Sequence, residues 1–201
     1  MNRSTQERLE YDVFSLHSVA APEYSVIRQL VLDSLGRFEC AKSPHLENFA
    51  RNSVLKYEQN GNSRTYVLVT FSDSGDLDVA AFFTVGMASL DFSKLSNSAK
   101  KKLMGDVSKE VSGAYAIAEL ARSDRYTSSE LPGSMILDEA KKVVFDAHKY
   151  VGGRLVVVDT QQVIFDTLYK SAGFRRLHIT KPPKGMEDKD FITAGCLVRD
   201  W

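Results

Sequence analysis

The feature that most constrains this chain is the apolar stretch Tyr115-Ala-Ile-Ala-Glu-Leu-Ala121, joined by the loop Arg122–Pro132 to a long amphipathic segment that opens at Gly133. The stretch reads as a strand, and its near-continuous apolar character predicts a central one, buried on both faces. From Gly133 to Tyr150, Ile136, Ala140, Val143 and Ala147 recur at spacings of four and three, and Leu137 and Val144 widen the stripe. That spacing predicts a helix, stopped by Gly152-Gly153. Arg154–Asp159, with three consecutive valines, predicts the next strand. A strand that delivers the chain to a glycine at a helix start makes an anion cradle. The first N–H groups of a helix have no intrahelical partner, and the helix dipole favours negative charge.

The remaining elements follow from patterning. Tyr11–Leu16 reads as a strand and Pro22–Leu35 as a helix carrying Val26, Ile27, Leu30 and Val31. Ser43-Pro44 is a good helix start, because serine caps and proline fits the first turn. Leu46, Phe49, Ala50, Val54 and Tyr57 then share one helical face as far as Asn60-Gly61. Arg64–Phe71 and Leu77–Val85 predict a hairpin around the turn Ser72-Asp-Ser-Gly75. Ser93–Lys109 is a polar helix or an excursion between strands. Gln161–Ser171 predicts a short helix, and Phe174–Thr180 and Phe191–Val198 closing strands on either side of the loop 181–189. Helices, a hairpin, then strand–helix–strand–helix–strand–strand give an α/β (α+β) class, with a mixed sheet and helices on both faces.

At 201 residues the chain suits one domain spanning 1–201. Lys plus Arg and Asp plus Glu number 26 each, so no global field draws in nucleic acid. Cys40 and Cys196 are far apart, no C-x-x-C exists, and His17, His45, His148 and His178 lack ligand spacing, which argues against a metal site. Both cysteines read as small apolar residues. With no apolar signal core and no run long enough to span a bilayer, the expectation is a reduced, cytoplasmic protein. Lys100-Lys-Lys102, Arg64 and Arg175-Arg176 read as solvated surface, and Asn60-Gly-Asn-Ser63 as a turn. Gly133-Ser134 is not a nucleophile elbow, so hydrolase chemistry has no support.

Three segments, in this order, resemble the GNAT superfamily of acyl-CoA-dependent N-acyltransferases. Ala118-Glu-Leu-Ala121 with its loop and Gly133-Ser-Met-Ile-Leu137 is similar to the family's pyrophosphate-binding strand–loop–helix. Val156-Val-Val-Asp159 is similar to its neighbouring strand, and Tyr169-Lys-Ser-Ala-Gly-Phe174 to its Y-x-x-x-G-F segment. Phe38-Glu-Cys40, the helix Pro44–Tyr57 and Ser63-Arg-Thr-Tyr-Val67 resemble a bacterial and phage branch that includes acetyltransferase toxins. The resemblance is strongest over 38–198. It departs at the phosphate loop: where the family reads Gln/Arg-x-x-Gly-x-Gly/Ala, this chain has Ser128-Ser-Glu-Leu-Pro-Gly133. Only the last glycine is kept, Glu130 is expected close to the phosphates, and Pro132 removes a donor.

What the resemblance implies is a GNAT-like, mostly antiparallel mixed sheet and transfer of an acetyl group from acetyl-CoA to a primary amine. Ser128, Ser129 and the amides of Gly133, Ser134 and Met135 are then expected to meet the pyrophosphate. Leu120 and Ala121 would lie beside the thioester, with Asp159 and Thr160 flanking the same cleft. Tyr169 matches the family's general acid; read without the family, its ring simply packs. Glu119 admits two roles: a base for the amine, or a strand carboxylate paired with Arg122 or Arg125. The acceptor is a small molecule, a protein amine or, in the toxin branch, an aminoacyl-tRNA. An antitoxin and a homodimer are the implied macromolecular partners. The competing class is a non-catalytic acyl-CoA-binding or protein-interaction module on the same fold.

Overall fold

A computed structural model describes residues 8–71, 75–106, 109–177 and 191–200. Most of the turn 72–75, the end of the expected strand at 178–180, His178 and the loop 181–189 lie outside these. Seven strands among the described residues form one sheet in the order β1-β2-β3-β4-β5-β7-β6. They are β1 (Asp12–Ser15), β2 (Ser63–Phe71), β3 (Leu77–Asp91), β4 (Val111–Arg122), β5 (Leu155–Gln161), β6 (Arg175–Arg176) and β7 (Phe191–Leu197). The helices are α1 (Ser25–Gly36), α2 (Pro44–Asn48), α3 (Val54–Gln59), α4 (Asn97–Met104), α5 (Gly133–Tyr150) and α6 (Gln162–Ile164). The sheet is mixed and mostly antiparallel: β1–β2, β5–β7 and β6–β7 run antiparallel, and β4 pairs β5 in parallel at Tyr115↔Val156 and Ala116↔Val157.

The chain divides into two compact units. The first comprises Met1–Val85 and Glu119–Ala140. Its core joins the buried stripes of α1 (Val31, Leu35) and of the 44–59 helical region (Phe49, Val54) to the inward side chains of β2 and β3. Phe82 sits at its centre, edge-on to Phe38 at 5.1 Å and stacked on Phe49 at 6.0 Å. Ser43 caps α2, its hydroxyl accepting from the Leu46 amide. The single helix expected over this region is interrupted by a π-helical turn, Phe49–Ser53, closed by the Val54 amide on Phe49 O.

The second unit comprises Gly86–Ala118 and Lys141–Trp201, with a core of Leu90, Phe92, Met104, Ala114, Leu155, Val157 and Leu177. β5 and β7 pair from Leu155↔Leu197 to Gln161↔Phe191. Tyr115 secures the return of the chain into β5: its hydroxyl donates to Val151 O, and its ring occupies the space where a Cβ on Gly153 would stand. α4 presents Lys101 and Lys102 to solvent, as expected of that run, and Arg175 and Arg176 are exposed on β6. Cys40 and Cys196 are both buried.

Other expectations change as well; β3, expected to end at Val85, runs to Asp91. β4 is not buried on both faces along its length: Ala118 is exposed, and Glu119 and Leu120 are half-buried. A methyl side chain leaves little apolar area in water, so an open Ala118 costs the strand little. The helix expected over 161–171 is one α-turn, α6, continued by a π-helical turn Phe165–Tyr169.

Candidate active site

The first unit supplies the strand–loop–helix. The loop 122–132 is tied down by its own polar groups rather than left open. Arg122 Nη1 donates to Leu131 O at 3.0 Å, spanning the loop just before the helix start. Asp78 on β3 collects the Arg125 guanidinium at 2.7 Å, the Tyr126 hydroxyl at 2.7 Å and the Ser34 hydroxyl at 2.9 Å. Burial first, then the Asp78 carboxylate, pushes the Tyr126 phenol well above its ordinary range, so it stays a donor.

Glu130, expected close to the phosphates, is folded onto Thr127. Its carboxylate accepts from both the Thr127 amide and the Thr127 hydroxyl at 2.7 Å, while the Glu130 amide reaches back to the Thr127 hydroxyl at 3.3 Å. This is a capping-box pairing inside the loop. Those hydrogen bonds hold the Glu130 carboxyl below its ordinary range. Ser129 is drawn into the same cluster through Thr127 Oγ1 at 2.9 Å, and Ser128 and Ser129 are exposed.

α5 starts at Gly133, as its spacing predicts. The Met135 amide donates to Pro132 O at 3.0 Å, which narrows the expected cradle to the amides of Gly133 and Ser134. Ser134 is exposed and Gly133 half-buried. A chain segment the sequence did not assign to the site braces this junction. The Leu9 amide donates to Glu130 O at 3.1 Å, Arg8 Nη1 lies 3.9 Å from Met135 Sδ, and the Tyr11 hydroxyl donates to Glu139 at 3.1 Å.

Glu119 turns toward α2. Its Oε1 lies 2.9 Å from His45 Nε2, with 18% of the Glu119 side chain and 43% of the His45 side chain exposed. Its backbone amide donates to Thr84 Oγ1 at 3.0 Å. Burial raises the Glu119 carboxyl above the ordinary range, and the His45 hydrogen bond and charge draw it part of the way back. The arginines expected as its partners are engaged elsewhere, Arg122 at Leu131 and Arg125 at Asp78. His45 escaped sequence reasoning because nothing in a lone histidine at a helix start announces a partner 74 residues away. Leu120 is half-buried and Ala121 lies in the core cluster.

The second unit supplies the other named residues. Asp159 is exposed on β5 and accepts from the Thr193 hydroxyl of β7 at 2.6 Å, in the register Asp159↔Thr193. Thr160 is buried and presents little surface to a ligand. Tyr169 is buried at the end of the π-turn, and its backbone carbonyl takes the amides of Ala172 and Phe174 at 3.1 Å. Among the described residues no cluster of three or more His, Cys, Asp or Glu could hold a metal, and no helix is long and apolar enough to cross a membrane.

No protein-family model and no curated protein sequence matches this chain. Its fold is shared with solved toxin structures. A mutant of KacT superposes with a TM-score of 0.68 at 14% identity, covering 95% of this chain and 96% of that one. AtaTR bound with AcCoA gives 0.61 at 19% identity over 83% and 87%. AtaT complexed with acetyl-methionyl-tRNAfMet gives 0.62 at 17% identity over 92% and 94%. At these identities the likeness establishes the GNAT-like fold.

Proposed function

We propose that the chain is an acetyl-CoA-dependent N-acetyltransferase that acetylates a primary amine by direct attack on the thioester. The observation that carries this reading is the junction of β4 and α5. A helix of 18 residues opens on Gly133 and Ser134, while Glu130, the acid of the preceding loop nearest to it in sequence, is folded onto Thr127. Such a junction fits the pyrophosphate of an acyl-CoA, with Ser128 and Ser129 as further donors. Leu120 and Ala121 line the pantetheine arm, with Asp159 and Thr160 as further contributors. The fold it shares with a structure bound with AcCoA supports acetyl-CoA as the donor.

In the reaction, the amine nitrogen bonds to the acetyl carbonyl carbon and the C–S bond of the donor breaks. Glu119 takes the proton released by the amine. Tyr169, a phenol that is protonated at neutral pH, gives its proton to the departing thiolate.

The acceptor classes are a small amine, a protein amine and an aminoacyl-tRNA. The last, with an antitoxin partner, is favoured by one observation: the fold is shared with a toxin complexed with acetyl-methionyl-tRNAfMet and with the KacTA–DNA assembly. Zero net charge leaves tRNA to local cations. Arg122 and Arg125 are already committed inside the loop, whereas Lys101, Lys102, Arg175 and Arg176 are among the exposed cations.

Calorimetry or thermal shift with acetyl-CoA tests the reading, followed by a panel of amines that includes charged tRNA. Binding at 100 times Kd raises stability by about 2.7 kcal/mol. Failure to bind acetyl-CoA removes the proposal. Binding without turnover on any amine replaces it with a non-catalytic acyl-CoA-binding module.

A further inference from the structure

We propose that His45 is the positioning residue of Glu119, holding its carboxylate in one orientation and in the charged form that accepts the amine's proton. The inference rests on the acetyl-transfer reading, in which Glu119 is the base.

The geometry is specific. His45 occupies the first turn of α2, whose start is fixed by the Ser43 cap and by Pro44. The segment leading to it is pinned twice more: the Cys40 amide donates to Glu47 Oε2 at 2.9 Å, and the Ala41 amide to Asp124 Oδ2 at 2.6 Å. The imidazole therefore reaches Glu119 from a braced backbone, and the 2.9 Å contact orients a carboxylate on a short lever within β4. A buried carboxylate without a partner prefers the neutral form and is then no base at all. With the proton on Nε2, donation to Oε1 opposes that preference.

His45 is the titratable side chain that meets Glu119. From β3 it is faced by Thr84, which is neutral, and Arg122 of its own strand is bound to Leu131 O. A purely structural pair would not need one half-exposed member. A strand interior is filled more cheaply by an apolar side chain than by an ion pair. With the partner open to water, Glu119 can lose the acquired proton to solvent after each turnover.

The test compares wild type, His45→Ala, His45→Gln and Glu119→Gln. Rates are measured against pH with acetyl-CoA and the best amine, and the Glu119 carboxyl is titrated by carbon-13 NMR. In His45→Ala the acidic limb of kcat and the NMR titration of Glu119 should both move up by about one unit, with KM for acetyl-CoA unchanged. At high pH the rate should return to within a few fold of wild type. His45→Gln, which keeps a neutral donor, should recover part of the shift. Glu119→Gln should abolish the limb.

An unchanged Glu119 titration in His45→Ala, or a rate loss equal at every pH, overturns the proposal while leaving the acetyltransferase reading intact. Absence of turnover in the wild-type protein overturns that reading, whatever the titration shows.

Discussion

Tyr169 and Phe174 meet edge to face, their ring centroids 5.3 Å apart and their planes at 68°. Gly173 makes the contact: at φ +90° it turns the chain so that the Phe174 amide returns to Tyr169 O. The spacing Y-x-x-x-G-F is thus a packing device. A residue with free access to positive φ folds the phenylalanine back onto the tyrosine it follows.

Gly173→Ala should be destabilising by about 1–2 kcal/mol, the cost of placing an L-residue at positive φ. A Cβ there would meet nothing within 4 Å, so the loss comes from the backbone alone. A denaturant melt measures it, and kcat should fall several-fold as the Tyr169 ring loses its backing.

Tyr169→Phe should lower kcat by roughly 10²–10⁴-fold at saturating acetyl-CoA, the range for loss of a general acid. Acetyl-CoA affinity, read by calorimetry, should stay within about twofold, because the ring remains. Unchanged turnover would remove the assignment.

Ser134→Glu separates helix stability from anion binding. A carboxylate in the first turn of α5 complements the helix dipole and should raise stability by about 0.3–1 kcal/mol. The same charge opposes a pyrophosphate, so acetyl-CoA affinity should drop about tenfold, close to 1.4 kcal/mol. Both falling together would indicate misfolding; affinity holding steady would move the phosphates elsewhere.

Asp78→Ala removes the acceptor that gathers Ser34, Arg125 and Tyr126. Leaving these donors without it should cost about 1–3 kcal/mol. Amide hydrogen exchange in the loop 122–132 should speed up more than that of β5–β7, which a uniform loss of stability would not produce.

Glu119 gives stability a pH dependence of defined sign. Burial raises its folded-state pKa above the unfolded value, about 4.3. Its contribution is therefore full below that pH and is lost as pH rises through the folded pKa. Glu119→Gln should lack this decline, so the gap between variant and wild type in urea melts should shift in the variant's favour from pH 4 to pH 7. A gap independent of pH would mean that Glu119 titrates alike folded and unfolded.

Much of the fold is legible because it rests on local periodicity. α5 opens and closes where its apolar spacing and flanking glycines put it, and β2 and β7 agree with their alternation to within a residue or so. Less legible were the π-turns at Phe49–Ser53 and Phe165–Tyr169, which have no signature in spacing. The open face at Ala118 was also missed, because an apolar composition does not say which neighbours cover it.

The sequence by itself determined the order of elements and the helix start at Gly133, since each follows from the conformational limits of a few adjacent residues. Only the tertiary structure decided the partners of the charged groups. Glu119 pairs with His45 rather than with an arginine of its own strand and loop, Arg125 belongs to Asp78, and Glu130 folds onto Thr127. A long side chain can satisfy its charge with any group within a few ångströms, and those neighbours are fixed by packing between elements distant in sequence.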